Sequence, residues 1–383
     1  MNMDTNKTDY LWVMLSFSFV IAFLLHLLLF STAPMATVIM QEMSLSHAGF
    51  GLVFSAAMMS LILFRIPWGM IGDRIGYVNA LRIALPISAA SAVLRAYSPV
   101  YEILLLSQIL LGLGLASVLP CLPLLVKEWA PERLGLSTGI YVSGFAAGNA
   151  TALWLTPYLL GMIDWRDVLL VYSCVAAIVC GLWWFLARSA IKAATEVRLR
   201  DLRRILTDRY VLVLLFFMIA SMGTYDTLAT WMPKVLEMQE LDMAFASLLP
   251  LGFFAAGPIM GFASDKFQNT RIIVALLGVV AATSIIGINY VMFPALLLCI
   301  FLAGFASVGV LTITLALPAQ HERLSASVGS VVGLISSLGN VGPLMMPVVF
   351  GLLIDVTGTF HLSVLSVALL AGVTFILGSL IGE

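Results

Sequence analysis

Charged residues are scarce in this chain, since lysine, arginine, aspartate and glutamate make up 10% of its 383 residues, whereas 61% are hydrophobic. Soluble globular domains carry roughly 25% charged residues, so this chain lacks the charge needed to coat a water-facing surface. That shortage excludes a cytosolic enzyme. Cysteines are few as well: Cys121, Cys174, Cys180 and Cys299 lie inside apolar runs without metal-ligand spacing, and we expect them to be packing residues.

The hydrophobic residues form long unbroken runs. A bilayer-spanning helix needs about 20 mostly apolar residues, so about twelve such helices fill nearly the whole chain. The runs do not alternate as the strands of a membrane barrel would, and the sequence therefore predicts an all-α membrane protein. The predicted spans are 10–40, 47–71, 78–98, 100–127, 134–160, 166–188, 209–238, 244–264, 271–290, 293–320, 323–352 and 360–381.

The longest polar stretch, 189–208, separates the sixth and seventh spans. It predicts a cytoplasmic linker between an N-terminal six-helix bundle at 1–188 and a C-terminal six-helix bundle at 209–383. The first apolar run is too long for a signal peptide and lacks a cleavage site, so it should remain as a helix.

The lysines and arginines lie almost entirely on one side of the predicted membrane. They follow the even-numbered spans or precede the first. The exceptions are Arg65, which falls inside a span, and Arg95, Arg166 and Lys234, which fall with the loops on the other side. Because basic loops stay in the cytoplasm, the pattern predicts a multi-pass protein of the inner (cytoplasmic) membrane with both termini cytoplasmic.

The two halves repeat each other at an offset of about 190 residues, as expected for transporters built from parallel repeats. The matching landmarks are Gly69-x-x-x-Asp73-Arg74 with Gly261-x-x-x-Asp265-Lys266, Gly112 with Gly304, Glu132-Arg133 with Glu322-Arg323, Gly148-Asn149 with Gly339-Asn340, and Asp164 with Asp355. Five landmarks in one register indicate an internal duplication.

The stretch from Gly69 to Gly76 resembles the cytoplasmic loop motif between the second and third helices of the major facilitator superfamily. The resemblance implies two six-helix bundles and a gating role for this motif and its repeat, namely Gly69, Asp73, Arg74, Gly76, Gly261, Asp265 and Lys266. In that role Asp73 would face a helix N-terminus and pair with nearby arginines. This chain departs from the family pattern after Gly76, where Tyr77-Val-Asn79 replaces basic residues. We expect Arg82 to substitute for them in part.

Arg65 lies in the second predicted span, about 12 Å of helix above the span's cytoplasmic end. A charge at that depth is costly. One interpretation is an anion receptor whose guanidinium fork binds a planar oxyanion or carboxylate. The other is an interhelical ion pair or a member of the gating motif near Asp73.

The pattern Arg65-x-x-x-Gly69-x-x-x-Asp73 resembles the substrate arginine of nitrate/nitrite porters. Glycine–asparagine pairs at Gly148-Asn149 and Gly339-Asn340 are similar to motifs of those porters. Their second substrate arginine would fall at Gly257 here and is missing, which favours a different or singly charged ligand. The region from Pro120 to Tyr141 looks more like cyanate and related small-anion permeases.

Two further polar residues interrupt apolar runs at mid-span. Asp226, in the seventh span, is a candidate proton-coupling site, or a carboxylate paired with a cation such as Arg65. His26, in the first span, is a candidate proton relay or a core histidine bonded to a carbonyl. Secondary candidates for substrate contact are Tyr141, Asn149, Tyr225 and Asn340.

Small-residue stripes occur in the fifth and eleventh spans, at Gly135, Gly139, Gly144, Gly148, Gly329, Gly333, Gly339 and Gly342. Such stripes let helices approach closely. We expect them to serve sliding contact between the two halves.

The leading hypothesis is a secondary active transporter of a small anion, working by alternating access and coupled to protons. The alternatives are efflux of a drug or of a neutral or cationic metabolite, and a receptor or assembly partner that does not transport. No phosphate-binding loop, metal cluster or nucleophilic triad occurs, so we expect no enzymatic activity, no metal or other cofactor, and energy from a gradient. The expected partners are a small, anionic solute, protons and the lipid bilayer, with no nucleic acid, and the protein is expected to be a monomer.

Overall fold

A computed structural model of the chain describes residues 2–188, 208–266, 270–320 and 328–378. Within these ranges there are fifteen α-helices, numbered along the chain. They are α1 Asn2–Phe30, α2 Ala36–Glu42, α3 His47–Ile75, α4 Tyr77–Ala96, α5 Tyr101–Leu115, α6 Val118–Trp129, α7 Leu134–Leu160, α8 Trp165–Leu186, α9 Arg209–Met238, α10 Leu248–Lys266, α11 Thr270–Tyr290, α12 Ala295–Gln320, α13 Val328–Leu338, α14 Val341–Thr357 and α15 His361–Gly378.

The helices confirm the predicted all-α membrane fold of about twelve spans. Ten helical stretches of the described chain are long and apolar enough to cross a bilayer. The other two predicted spans correspond to α7, a helix of 27 residues, and to α15, whose apolar part is shorter. The predicted linker lies outside the described residues except for Asp208, and so does the repeat landmark Glu322-Arg323.

Three predicted spans are interrupted. The first span breaks between α1 and α2, the fourth between α5 and α6, and the eleventh between α13 and α14. Each break carries a polar side chain that bonds a carbonyl of the preceding turn: Ser31 Oγ with Leu28 O at 3.0 Å, Ser117 Oγ with Gly114 O at 2.7 Å, and Asn340 Nδ2 with Ser336 O at 2.8 Å. These bonds satisfy main-chain groups that lipid cannot.

The chain divides into two compact units whose boundaries do not follow the duplication. Unit 1 contains residues 1–31 and 59–196, and unit 2 contains residues 32–58 and 197–383. The division therefore passes through the break after α1 and through α3, after Met58. The last part of the first span and the first part of α3 belong with the C-terminal helices.

Close helix packing in unit 1 is set by glycines of α7. A Cβ on Gly148 would overlap the main-chain oxygen of Phe23, and a Cβ on Gly144 would crowd that of Phe19. Both oxygens belong to α1. The two glycines therefore let the α7 backbone lie directly on α1.

Unit 2 uses glycines in the same way. A Cβ on Gly342 would overlap the main-chain oxygen of Ile219 on α9, and a Cβ on Gly304 would overlap that of Leu249 on α10. Gly144, Gly148 and Gly342 thus pack against helices of their own unit. The expectation that they serve contact between the two halves is wrong, because spacing along a helix reveals a smooth face without revealing its partner.

Gly148→Ala should lower the stability of the purified protein, since overpacking costs about 1–3 kcal/mol. The matched control is Gly139→Ala on the same helix, where an added Cβ meets nothing within 4 Å. The control should be neutral or stabilising by up to about 1 kcal/mol, because alanine favours helix. Equal melting temperatures for the two variants would contradict the packing of α7 on α1.

Candidate functional site

Arg65 occupies the middle of α3 in unit 1. Its side chain is buried, with 8% of its surface exposed, and it lies about 15 Å of helix rise from Ile75. Two hydrogen bonds to carbonyls of α5 flank this level of the helix: Ser60 Oγ donates to Ile109 O at 2.8 Å and Trp68 Nε1 donates to Leu113 O at 2.7 Å. These bonds fix the height and rotation of α3, and therefore the placement of the guanidinium.

An aromatic cluster in unit 1 brings together two of the predicted residues. The His26 ring on α1 lies 4.4 Å from the ring of Phe145 on α7, centroid to centroid. Tyr141 meets the same phenylalanine edge-on at 5.9 Å. His26 and Tyr141 therefore share Phe145 as a common neighbour. The approach of α1 and α7 that Gly144 and Gly148 permit makes this cluster possible.

Asn149 also lies on α7 and is buried. It follows Gly148, the residue whose missing Cβ gives the closest approach to α1. The glycine–asparagine pair therefore combines a backbone contact with a buried amide.

Asp226 lies near the middle of α9 in unit 2. Asp208 caps the start of this helix, and its carboxylate accepts a hydrogen bond from Tyr210 N at 2.8 Å. Asp226 is partly buried, and no described side chain donates a hydrogen bond or forms an ion pair with its carboxylate. The Thr230 hydroxyl bonds only the Asp226 main-chain oxygen, at 2.7 Å.

The other two candidates of unit 2 have defined neighbours. The Tyr225 ring lies edge-on to Phe253 of α10, at 5.4 Å between centroids. Asn340 uses its amide nitrogen at the break before α14, donating to Ser336 O at 2.8 Å and to Ser337 O at 3.2 Å. The Asn340 side chain therefore supports the helix break.

The first gating segment ends α3 and begins α4. Asp73 accepts a hydrogen bond from the Tyr77 hydroxyl at 2.8 Å. Gly76 has φ of 86°, a left-handed conformation that favours glycine, and the tight turn there allows α4 to start directly after α3. Gly69 and Arg74 lie on the last turns of α3.

Arg82 does not bond Asp73. Its guanidinium donates to Asn79 Oδ1 at 3.0 Å and to Ala187 O at 2.9 Å, at the end of α8. In this arrangement Arg82 holds the end of α8, and the partner of Asp73 is a tyrosine.

The repeat of this segment ends α10. Gly261 has open space around it, and the Lys266 ammonium lies 5.6 Å from the centre of the Phe262 ring. Asp265 lies in α10, but its side chain is outside what the structure describes.

Sequence reasoning missed Arg95. It placed this arginine at the edge of a span with the loop charges, yet only 1% of its surface is exposed, and its Nη1 donates to Leu28 O on α1 at 2.7 Å. The available signal was the spacing from Ser88 and Ser91, which puts three polar residues on one face of α4. Arg95 supports the carbonyl at the end of α1, next to the break in the first span.

The Major Facilitator Superfamily model matches residues 18–286. The "Probable nitrate transporter NarT" of Staphylococcus carnosus is 24% identical over 346 residues, covering 88% of this chain and 87% of the relative. The "Gentisate transporter" of Corynebacterium glutamicum is 22% identical over 360 residues, covering 89% and 80%. The "Cyanate transport protein CynX" of Escherichia coli is 20% identical over 338 residues, covering 87% and 88%.

Among solved structures, a bacterial homologue of the human lysosomal transporter Spinster superposes with a TM-score of 0.81. The match covers 97% of this chain and 96% of that chain, at 16% sequence identity. The structural match therefore extends beyond residues 18–286, the region that the family model matches.

These matches agree with the duplicated landmarks, the motif at the end of α3 and the count of about twelve helical spans. They also confirm the resemblance to nitrate and cyanate porters. The chain belongs to the Major Facilitator Superfamily of membrane transporters.

Proposed function

We propose that this protein is a secondary active transporter that moves a small anion, an inorganic oxyanion or a small carboxylate, across the inner membrane by alternating access. The observation that supports the proposal most is Arg65, a guanidinium buried at mid-helix in α3. A charge in this position is costly in lipid, by about 2.5–3.5 kcal/mol on insertion scales. A bound anion that neutralises the charge during transport gives the protein a reason to retain it.

The chemistry of arginine favours a planar ligand. The guanidinium presents parallel N–H groups in a rigid fork that matches the two oxygens of a carboxylate or nitrate. The relatives are named for nitrate, cyanate and gentisate, which are anions with planar or linear charged groups. We therefore propose a monoanion whose charged group binds Arg65.

Each unit, taken by itself, carries further residues that we propose for substrate contact. In unit 1 the cluster of His26, Tyr141 and Phe145 offers aromatic surface, and Asn149 offers an amide. In unit 2 the candidates are Tyr225 and Asn340. An aromatic carboxylate would use the cluster for ring contacts, whereas an inorganic oxyanion would need only hydrogen-bond donors.

Asp226 is the proposed proton-coupling site. Its carboxylate has no hydrogen-bond donor or cation among the described residues, so a proton can neutralise it without breaking a structural interaction. His26 is the second candidate, since a histidine changes charge near neutral pH. The gating residues at the ends of α3 and α10 would alternate between partners as the two sides open and close.

The distribution of basic residues supports an orientation with both termini in the cytoplasm. On that orientation the loop before α3 and the loop after α14 face the outside. We propose the inner membrane as the location and a monomer as the working form.

A thermal-shift panel on detergent-purified protein tests the proposed function. The ligands are nitrate, cyanate, gentisate, formate, small dicarboxylates and a few cationic drugs. A ligand that binds only the folded protein stabilises it by about 2.7 kcal/mol at a hundredfold excess over Kd. We expect one class of anion to raise the melting temperature of the parent and not that of Arg65→Gln.

Arg95→Gln is the matched control, because it removes another buried arginine of unit 1 that bonds a main-chain carbonyl. This control should melt at a lower temperature and keep the ligand-dependent shift. If cationic drugs stabilise the protein and anions do not, the anion proposal fails and efflux of a cationic solute takes its place.

A further inference from the structure

A carboxylate from the end of α14 caps the beginning of α3 within unit 2. Asp355 Oδ1 accepts a hydrogen bond from His47 N at 2.8 Å, and Oδ2 accepts one from Ala48 N at 2.8 Å. The His47 ring nitrogen Nδ1 also lies 2.8 Å from Asp355 Oδ1. Asp355 therefore satisfies two of the amides that a helix leaves without partners at its N-terminus. It also meets the positive end of the helix dipole.

The duplicated aspartate of the first half behaves differently. Asp164, which matches Asp355 in the repeat, accepts a hydrogen bond from Arg166 N at 3.0 Å and so caps the helix that directly follows it, α8. Asp355 instead caps a helix 308 positions earlier in the chain. The second repeat thus uses the same landmark for a long-range contact.

The surrounding packing shows that this contact joins two backbones closely. A Cβ on Gly51 would overlap the main-chain oxygen of Pro347, and a Cβ on Gly351 would overlap that of His47. Trp231 of α9 lies behind them and donates from Nε1 to Pro347 O at 2.9 Å. Its ring stacks on Phe350 and meets Phe50 edge-on.

We propose that His47, Ala48 and Asp355 form a proton-dependent clasp that holds the first part of α3 to α14, and that the clasp opens when the transport site faces outward. The inference rests on the proposed transport function and adds to it a positioning role for Asp355, since α3 also carries Arg65. Only a protonated His47 forms an ion pair with Asp355. Low outside pH should therefore favour the closed clasp.

Other charged groups near the clasp have partners of their own. On α9, Lys234 lies 3.1 Å from Glu237 and donates to Thr37 Oγ1 at 2.7 Å. Glu42 ends α2, and His361 at the start of α15 lies 3.3 Å from Asn289 Oδ1. His47 and Asp355 are each about one quarter exposed, at 25% and 23% of the side chain, so protons from outside can reach them.

A cysteine introduced at the buried position of Ser55 would report opening of the clasp by becoming accessible to a labelling reagent. Ser55 lies about two turns after His47 on α3, is fully buried, and its hydroxyl has no hydrogen-bond partner in the described structure. The test uses Ser55→Cys in full-length protein whose native cysteines are replaced by serine, reconstituted in liposomes. A membrane-impermeant maleimide is added outside at about pH 5.5 and about pH 8. The rate at which the maleimide labels the introduced cysteine is measured at each pH. It is divided by the labelling rate of the unfolded protein at the same pH.

We expect the normalised rate in the parent to be about threefold lower at the acidic pH, the size expected for a partly exposed ion pair. His47→Gln should be labelled at both pH values at the normalised rate that the parent shows at the alkaline pH. Asp355→Asn should label faster still, because the helix cap is weakened as well. Asp164→Asn, the matched control from the first repeat, should behave as the parent does.

The clasp proposal is overturned if the parent shows no pH dependence, if His47→Gln retains it, or if Asp355→Asn labels no faster than Asp164→Asn. Absence of labelling in every variant also overturns it. The measurement needs no substrate. If the labelling experiment overturns the clasp, the anion-binding result at Arg65 still stands. If no anion binds, the labelling result can still be interpreted.

Discussion

Replacement of Arg65 by glutamine is expected to lower kcat/KM for the transported anion by about a hundredfold or more. Removing one partner of a buried, hydrogen-bonded charge pair costs about 2–5 kcal/mol, and the anion would lose its main electrostatic contact. The kcat/KM of Arg65→Lys should lie between those of the parent and of Arg65→Gln, because lysine keeps the positive charge and loses the paired N–H donors of the guanidinium. The measurement is the initial rate of uptake into liposomes over a range of anion concentrations.

Arg95→Gln separates this effect from general damage to unit 1. Arg95 bonds Leu28 O at the end of α1, so its loss should reduce the amount of folded protein and leave the apparent KM of the folded fraction close to that of the parent. If Arg65→Gln retains the parental KM and rate, Arg65 is a structural residue of α3 and the proposed anion receptor is wrong.

Asp226→Asn is expected to abolish uphill transport while preserving exchange of anion across the membrane. A proton gradient of about one pH unit stores about 1.4 kcal/mol per proton, which supports about tenfold accumulation at one proton per anion. The amide cannot take up the proton, so accumulation should fall to equilibrium. Exchange of labelled for unlabelled anion needs no net proton movement and should continue.

His26→Gln distinguishes the two candidate proton sites. If Asp226 couples transport to protons, His26→Gln should still accumulate the anion, with a changed affinity at most. Accumulation that survives Asp226→Asn and disappears in His26→Gln would assign coupling to the histidine of α1. Accumulation that survives both substitutions would contradict the assignment of coupling to either residue.

The features that sequence predicted well depend on properties of single segments. Long apolar runs predicted about twelve spans, because a helix that crosses lipid requires such a run. Arg65 and Asp226 attracted attention because each interrupts such a run with a charge, and the structure places both near the middle of a helix. The duplication was visible because both copies kept the glycine and aspartate landmarks.

The features that sequence could not provide depend on tertiary partners. The glycines of α7 predicted a close approach, but only the structure identifies Phe19 and Phe23 of α1 as the residues they meet. Arg95 was assigned to the loop charges because its nearest hydrogen-bond acceptor, Leu28 O, belongs to another helix. Asp355 was recognised only as a match for Asp164, since nothing local indicates that it caps a helix hundreds of positions earlier.

Uptake of labelled anions by liposomes that contain the unaltered protein tests the central claim most directly. The liposomes are prepared with an imposed pH gradient, and nitrate, cyanate and aromatic carboxylates are compared with a neutral and a cationic solute. The account predicts that at least one anion accumulates and that collapse of the pH gradient with a protonophore releases it. Movement of the cationic or neutral solute alone, or no movement of any solute, would contradict the account.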